Sequence, residues 1–360
     1  MSANPDSPVA QLDRVLFIRL GAIGDILLMT PLLRMFHAHY PQTQMDVLVK
    51  EKFFSLLQFH PLLHEVVLLP DSPSLPELVQ TTKTLADKDY NVIFDLQKHW
   101  RSYFISWFAH ADQVCRYTKF SGRRLALVYG KKNYYAGVPD TIPARYHIAF
   151  RQFQLPWQPA ALELYLPDFE QESVAARWPF APTDLVIAVA PGAGRETKKW
   201  PSIYYIELIL KIRRQRDVQF LLLGGEGDIA LCAEIERTLK GQVVNWCGTT
   251  TLLATAAALR RCQLVICNDT GLMHLAAAMQ RRIVAIFGPT VREFGFFPFM
   301  TNATVVEHSH LACRPCSFHG TASCPKKHFR CMMELSPDRV LGEVEKMLRG
   351  LKIETSKDTV

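Results

Sequence analysis

Val15-Leu16-Phe17-Ile18-Arg19-Leu20-Gly21-Ala22-Ile23-Gly24-Asp25 is a short apolar run that ends in a two-glycine turn and an acid. Beyond it, Ile26, Leu27, Met29, Leu32, Leu33 and Phe36 keep a helical spacing over residues 25–39. A buried strand, a glycine turn and an amphipathic helix, in that order, form the repeating unit of α/β proteins. Working outward, residues 45–49, 65–69 and 91–94 read as further strands, with helices predicted over 74–86 and 100–109. The second half repeats the rhythm. Strands at 185–189, 218–223, 243–246, 264–267 and 283–287 alternate with helices at 202–214, 228–239, 251–259 and 273–279. Strands that are apolar along their whole length belong to parallel sheets covered on both faces. The proline-bearing stretch 155–183 breaks the pattern and reads as a linker, and a last amphipathic helix is predicted over 337–349.

The expected fold class is α/β, with two Rossmann-like, doubly wound parallel-sheet domains facing across a cleft. Residues 1–168 form the first, 169–335 the second, and 336–360 a C-terminal helix and tail. A chain of 360 residues exceeds what one hydrophobic core usually serves. Ligands in such sheets bind beyond the C-terminal ends of the strands.

Composition narrows the class. The chain is 49% apolar and 21% charged, ordinary values for a globular protein. No apolar run reaches the length of a membrane-spanning helix. Segment 1–13 carries two acids and two prolines and no apolar run, so it does not read as a secretory signal, and a cytoplasmic location is expected. The net charge is +7. Lys98, Arg101, Arg116, Lys119, Arg123, Arg124, Lys131 and Lys132 stand close together against the single acid Asp112. Such a run is either a solvated surface or an attractor of anions, among them a phosphorylated acceptor or the anionic inner face of a membrane. No nucleic-acid motif accompanies it.

Four segments carry candidate chemistry. Asp25 stands at a helix start, where it serves either as an N-cap or as a base. Its glycines do not make the G-x-G-x-x-G dinucleotide fingerprint. Pro191-Gly192-Ala193-Gly194-Arg195-Glu196-Thr197-Lys198-Lys199-Trp200 follows a strand; its glycines admit a phosphate to the backbone, and Arg195, Lys198 and Lys199 supply charge. Thr197 joins them as a candidate, and Trp200 is expected to pack rather than stack on a base. Asn268-Asp269-Thr270-Gly271 opens a helix rich in small residues, a ready anion site, with His274 one turn in. In Gly224-Gly225-Glu226-Gly227-Asp228, Glu226 is the candidate for a ribose and Asp228 for capping.

Together these residues resemble the ADP-heptose:lipopolysaccharide heptosyltransferases, glycosyltransferase family nine. Residues 19–28 are similar to that family's opening motif, Asn268-Asp269-Thr270-Gly271 with His274 to its donor signature, and Phe287-Gly288-Pro289-Thr290 follows at the expected distance. Lys198-Lys199-Trp200-Pro201 resembles its pyrophosphate loop, and Asp95-Leu96-Gln97 with Arg101 its acceptor segment. The resemblance implies a GT-B fold and an inverting transfer from an ADP-sugar to a lipopolysaccharide core acceptor, without a catalytic metal. It implies Asp25 as general base, Lys198, Asp269, Thr270, Gly271 and His274 at the donor, and Gly24, Asp95, Gln97 and Arg101 on the acceptor side. Residues 140–150 fit the family's acceptor pattern poorly. Other readings are a transferase of another nucleotide sugar and a non-catalytic nucleotide-binding or metal-organised interaction protein.

Cys313, Cys316, Cys324 and Cys331 cluster near the C-terminus. Their C-x2-C start suits a tetrahedral zinc, with His319 and His328 nearby; reduced thiols or a redox pair are the other reading. The remaining five cysteines read as small core residues.

Overall fold

A computed structural model describes residues 12–349. Most of segment 1–13, and the tail beyond 349, lie outside the described residues. The chain divides into two compact units: Met1–Gly21, Met29–Lys119 and Pro143–Gln158 form one; Ala22–Leu28, Phe120–Ile142 and Pro159–Val360 form the other.

The first unit is built on β1 (Arg14–Ile18), β2 (Gln44–Lys50), β3 (Glu65–Leu69), β4 (Val92–Asp95) and β5 (Gln113–Arg116), all parallel, in the order β3-β2-β1-β4-β5. Side chains alternate across the pleat, so each strand feeds two cores. On one face Phe17 and Phe94 pack with Phe36 and Phe150, the Phe94 and Phe150 ring centroids 4.4 Å apart. On the other, Leu16, Ile18, Leu48 and Ile93 pack with Leu78, Leu85 and Ile105.

The second unit holds β6 (Val186–Ala190), β7 (Gln219–Leu222), β8 (Val244–Asn245), β9 (Leu264–Asn268), β10 (Arg282–Phe287) and β11 (Ala303–Glu307), again all parallel, in the order β11-β10-β9-β6-β7-β8. Every residue of β6 and β9 is buried, as their unbroken apolar runs require. The helices Ser202–Gln215 and Pro337–Leu348 contribute Leu208, Ile209, Val340 and Val344 to the core that covers Ile187, Val189 and Ile266.

The α/β class and both parallel sheets follow the sequence reading; several local features depart from it. The helix expected over 25–39 is two, Ile23–Leu27 and Thr30–His39, because Pro31 has no N–H to continue the first ladder. The stretch read as a linker contains the helix Asp168–Arg177. The edge strands β5 and β11, with mixed polar composition, were not predicted.

Candidate functional site

In the second sheet the strand order turns between β6 and β9, which lie side by side. Such a switch point leaves a crevice at the C-terminal ends of the two strands, because their outgoing loops diverge. Asn268, the last residue of β9, fastens those loops together. Its amide donates to the carbonyls of Pro191 (2.7 Å) and Gly192 (3.3 Å), and its Oδ1 accepts the Trp200 N–H at 3.2 Å. Trp200 is 1% exposed and donates Nε1–H to the Leu335 carbonyl at 2.9 Å, so it packs rather than presenting its ring to a base.

Lys198 Nζ reaches Asp269 Oδ2 at 2.7 Å, and the Thr290 hydroxyl donates to the same oxygen at 2.7 Å. Asp269 therefore aims the lysine beside the N-terminus of the helix Gly271–Ala278, which Thr270 enters in extended conformation without a side-chain cap. Free N–H groups and an oriented ammonium together form an anion cradle. Thr290 is itself held from behind. The Arg314 guanidinium donates to the carbonyls of Thr290 (2.7 Å) and Gly288 (2.5 Å) and pairs with Glu307 (2.6 Å). Thr197, a candidate donor contact, has its hydroxyl engaged with the backbone of Thr321.

The helix Ile23–Leu27 packs on Gly271–Ala278, within the same unit. The sequence reading set Asp25 on the first domain; the structure groups its segment with the Lys198 cradle. The contact depends on absent side chains. A Cβ on Gly24 would stand 2.3 Å from His274 Cδ2, and one on Gly271 would stand 3.1 Å from Ile23 Cβ. Asp25 is not the N-cap, which is Ala22; it stands at the third helical position and accepts the Ala22 N–H at 3.2 Å. His274 is 3% exposed, and burial pushes its pKa down to about 4 despite Asp269 and Asp25 nearby, so the ring is neutral. Its Nδ1 is buried with no hydrogen-bond partner among the described residues.

Asp228 is the N-cap residue of the helix Ile229–Leu239, but its carboxylate turns back to accept the Gly225 N–H at 3.1 Å. It also fills the space where a side chain on Gly192 would go, and burial raises its pKa. Glu226 is exposed beside it.

In the first unit the matching switch point lies between β1 and β4. Asp95, fully buried, accepts the N–H groups of Gln97 (3.0 Å) and Lys98 (2.8 Å), and Arg116 lies 3.4 Å from its other oxygen. Gln97 Oε1 accepts the Leu20 N–H at 3.1 Å, tying the two strand ends together. Arg101 stacks on Trp100, 4.5 Å from the ring centre.

Much of the basic run is spent inside the fold. Lys119 donates to the Lys98 carbonyl, Arg124 stacks on Phe318 and Phe294, and Lys131 holds the carbonyls of Cys313 (2.8 Å) and Pro315 (2.6 Å). The four clustered cysteines are free, with Cys313 Sγ 3.9 Å from His328 Nε2. Their sulfurs do not converge to ligand spacing. Among the described residues the group that does is Asp46, His64 and Glu65, and there Arg14 and Lys88 already neutralise the acids. No helix of the described residues is long and apolar enough to cross a membrane.

Sequence reasoning placed Asn268 and Thr290 in motifs at strand ends without giving either side chain a task of its own, and it passed over Arg314 and Thr321, whose contacts spacing does not encode.

Comparison with known proteins bears on the family and the fold. The chain is 34% identical over 170 residues to lipooligosaccharide heptosyltransferase 2 of Campylobacter jejuni, a match that spans about half of each protein, 46% of this chain and 51% of that one. It is 24% identical to lipopolysaccharide heptosyltransferase 2 of Salmonella typhimurium over 93% of this chain and 98% of the other. Its fold matches the solved structure of the Escherichia coli ADP-heptose lipopolysaccharide heptosyltransferase II with a TM-score of 0.73 at 23% identity, covering 93% and 98% of the two chains. The model of glycosyltransferase family 9 (heptosyltransferase) matches residues 78–328, and with that span the chain belongs to glycosyltransferase family 9.

Proposed function

We propose that the chain is an inverting, metal-independent glycosyltransferase that moves a heptose from ADP-heptose to a lipopolysaccharide core acceptor. The observation that carries this reading is the packing of the Asp25 helix onto the helix that, with Lys198, forms the anion cradle.

The donor diphosphate rests at the N-terminus of Gly271–Ala278, against Lys198. A fixed cation and aligned N–H groups stabilise the charge that grows on the departing ADP, the task that a divalent ion performs in metal-dependent transferases. Asp25 takes the proton of the acceptor hydroxyl as its oxygen bonds to the anomeric carbon; on the opposite side the bond from that carbon to the phosphate oxygen breaks and ADP leaves. Attack from the face away from the leaving group inverts the anomeric centre. Glu226 is the proposed ribose contact, and Gly24, Asp95, Gln97 and Arg101 are the proposed acceptor side.

The relatives named as ADP-heptose and lipopolysaccharide enzymes support this choice of donor and acceptor. The test is product analysis with ADP-heptose and a truncated lipopolysaccharide core. Heptose on the core with ADP released supports the reading, and transfer only from a UDP- or GDP-sugar replaces the donor.

We further propose that the protein works against an anionic membrane face. The helix Trp100–Phe108 lines up Trp100, Tyr103 and Trp107, and Trp107 is 77% exposed. Amphipathic rings among Lys98, Arg101 and His110 suit a headgroup layer. For the cysteines we propose a structural role. A zinc held by Cys313, Cys316, Cys324 and Cys331 would have to draw their sulfurs together, and metal analysis of protein purified without affinity resin decides it: stoichiometric zinc supports the ion, its absence leaves reduced thiols.

A further inference from the structure

The seven residues between Cys316 and Cys324 reach the anion cradle. Thr321 is pinned to the Lys198 loop by three bonds: the Thr197 N–H (3.1 Å) and hydroxyl (3.0 Å) donate to its carbonyl, and its own N–H donates to that hydroxyl at 2.7 Å. Gly320, at φ +81°, lies so close that a Cβ would stand 2.9 Å from Arg195 Cβ and 3.1 Å from Lys198 Cγ. On the other side, the Ser317 hydroxyl accepts the Gly320 N–H at 2.8 Å, and Phe318 packs edge-on to Tyr129 and Phe294 beneath the Arg124 guanidinium, 4.9 Å away.

His319 stands between these two fixed neighbours. It is solvent-exposed, yet it lies within electrostatic reach of Arg124, Lys198, Asp25 and Asp269. Crowding by the surrounding protein, then the two cations, lower its pKa, which disfavours the charged form of the ring. His319 is thus next in sequence to Gly320, which abuts Arg195 and Lys198, and lies within electrostatic reach of both that lysine and Asp25.

We propose that His319 is a donor-site residue whose imidazole N–H bonds the sugar-side phosphate of the ADP-sugar and stabilises it as the glycosidic bond breaks. This rests on the reading that the Lys198 cradle holds the donor diphosphate. Three neighbours serve to hold His319 there: Thr321 and Gly320 against the cradle, and Phe318 against the aromatic cluster.

Calorimetric titration of the full chain with ADP and with AMP tests it, because the two ligands differ by the phosphate in question. His319→Ala should weaken ADP about tenfold, the usual loss for a hydrogen bond to a charged group, and leave AMP nearly unchanged. His319→Gln, which keeps an N–H donor, should recover most of the loss, and kcat should fall with ADP affinity. Unchanged ADP affinity in His319→Ala, with wild-type binding intact, overturns this inference alone. Equal weakening of ADP and AMP with a lowered melting temperature also overturns it, by making the residue structural. Failure of the wild-type chain to bind ADP removes the cradle reading and this inference with it.

Discussion

Replacing Gly24 by alanine pits two effects of opposite sign against each other. Gly24 lies inside the helix Ile23–Leu27, where alanine is favoured over glycine by about 0.5–1 kcal/mol. The new Cβ would stand 2.3 Å from His274 Cδ2, well inside the 3.4 Å at which ordinary contact begins. His274 is 3% exposed, so its ring has little room to swing away. Overpacking costs about 1–3 kcal/mol, and a 2.3 Å approach to a buried ring belongs in the upper half of that range, about 2–3 kcal/mol; subtracting the helix gain of about 0.5–1 leaves a loss of about 1–2.5 kcal/mol. For a unit of this size that is a melting shift of about 2–10 °C. Scanning calorimetry on Gly24→Ala, His274→Ala and the double variant is the assay. The two single losses should not add, because truncating the imidazole removes the atom the new methyl meets. A Gly24→Ala protein as stable as the parent, or strictly additive losses, would refute the packing of the Asp25 helix on the His274 helix.

Lys198→Ala should weaken ADP binding by roughly ten- to a hundredfold, the range for a charged hydrogen-bond partner, and Asp269→Asn should weaken it less, since it frees the lysine without removing it; unchanged titrations would count against the cradle. Stability should also depend on pH through His274. Its folded pKa of about 4 lies below the ordinary 6.5, so its contribution is complete above pH 6.5 and is lost as pH falls toward 4, by up to about 3 kcal/mol. His274→Gln should flatten that decline in urea titrations, and an unaltered slope would contradict the burial of a neutral ring. On vesicles containing anionic lipid, pelleting should fall with salt and with Trp107→Ser; salt-insensitive or absent pelleting would exclude the membrane face.

The α/β class was legible because fully buried parallel strands leave unbroken apolar runs, as at 186–190 and 264–268. The anion cradle was legible for a related reason: its residues sit where strands end, so Lys198, Asp269, Thr270 and Gly271 announce themselves by position. Roles within it were not. Asp269 reads as a ligand residue until its bonds to Lys198 and Thr290 show it orienting the lysine. Asp25 reads as either an N-cap or a base until Ala22 is found at the cap. The basic run reads as a surface, whereas Lys131 and Arg124 fasten the segment that carries His319. The contacts of Lys131 and Arg124 join residues more than a hundred positions apart, and no local pattern records them.

The most direct test of the central claim is the turnover of Asp25→Asn against its affinity for ADP. If Asp25 is the base beside an intact donor cradle, kcat falls by about 10²–10⁴ while ADP binds as it does to the parent chain. Near-parental turnover in a folded Asp25→Asn protein would contradict the account.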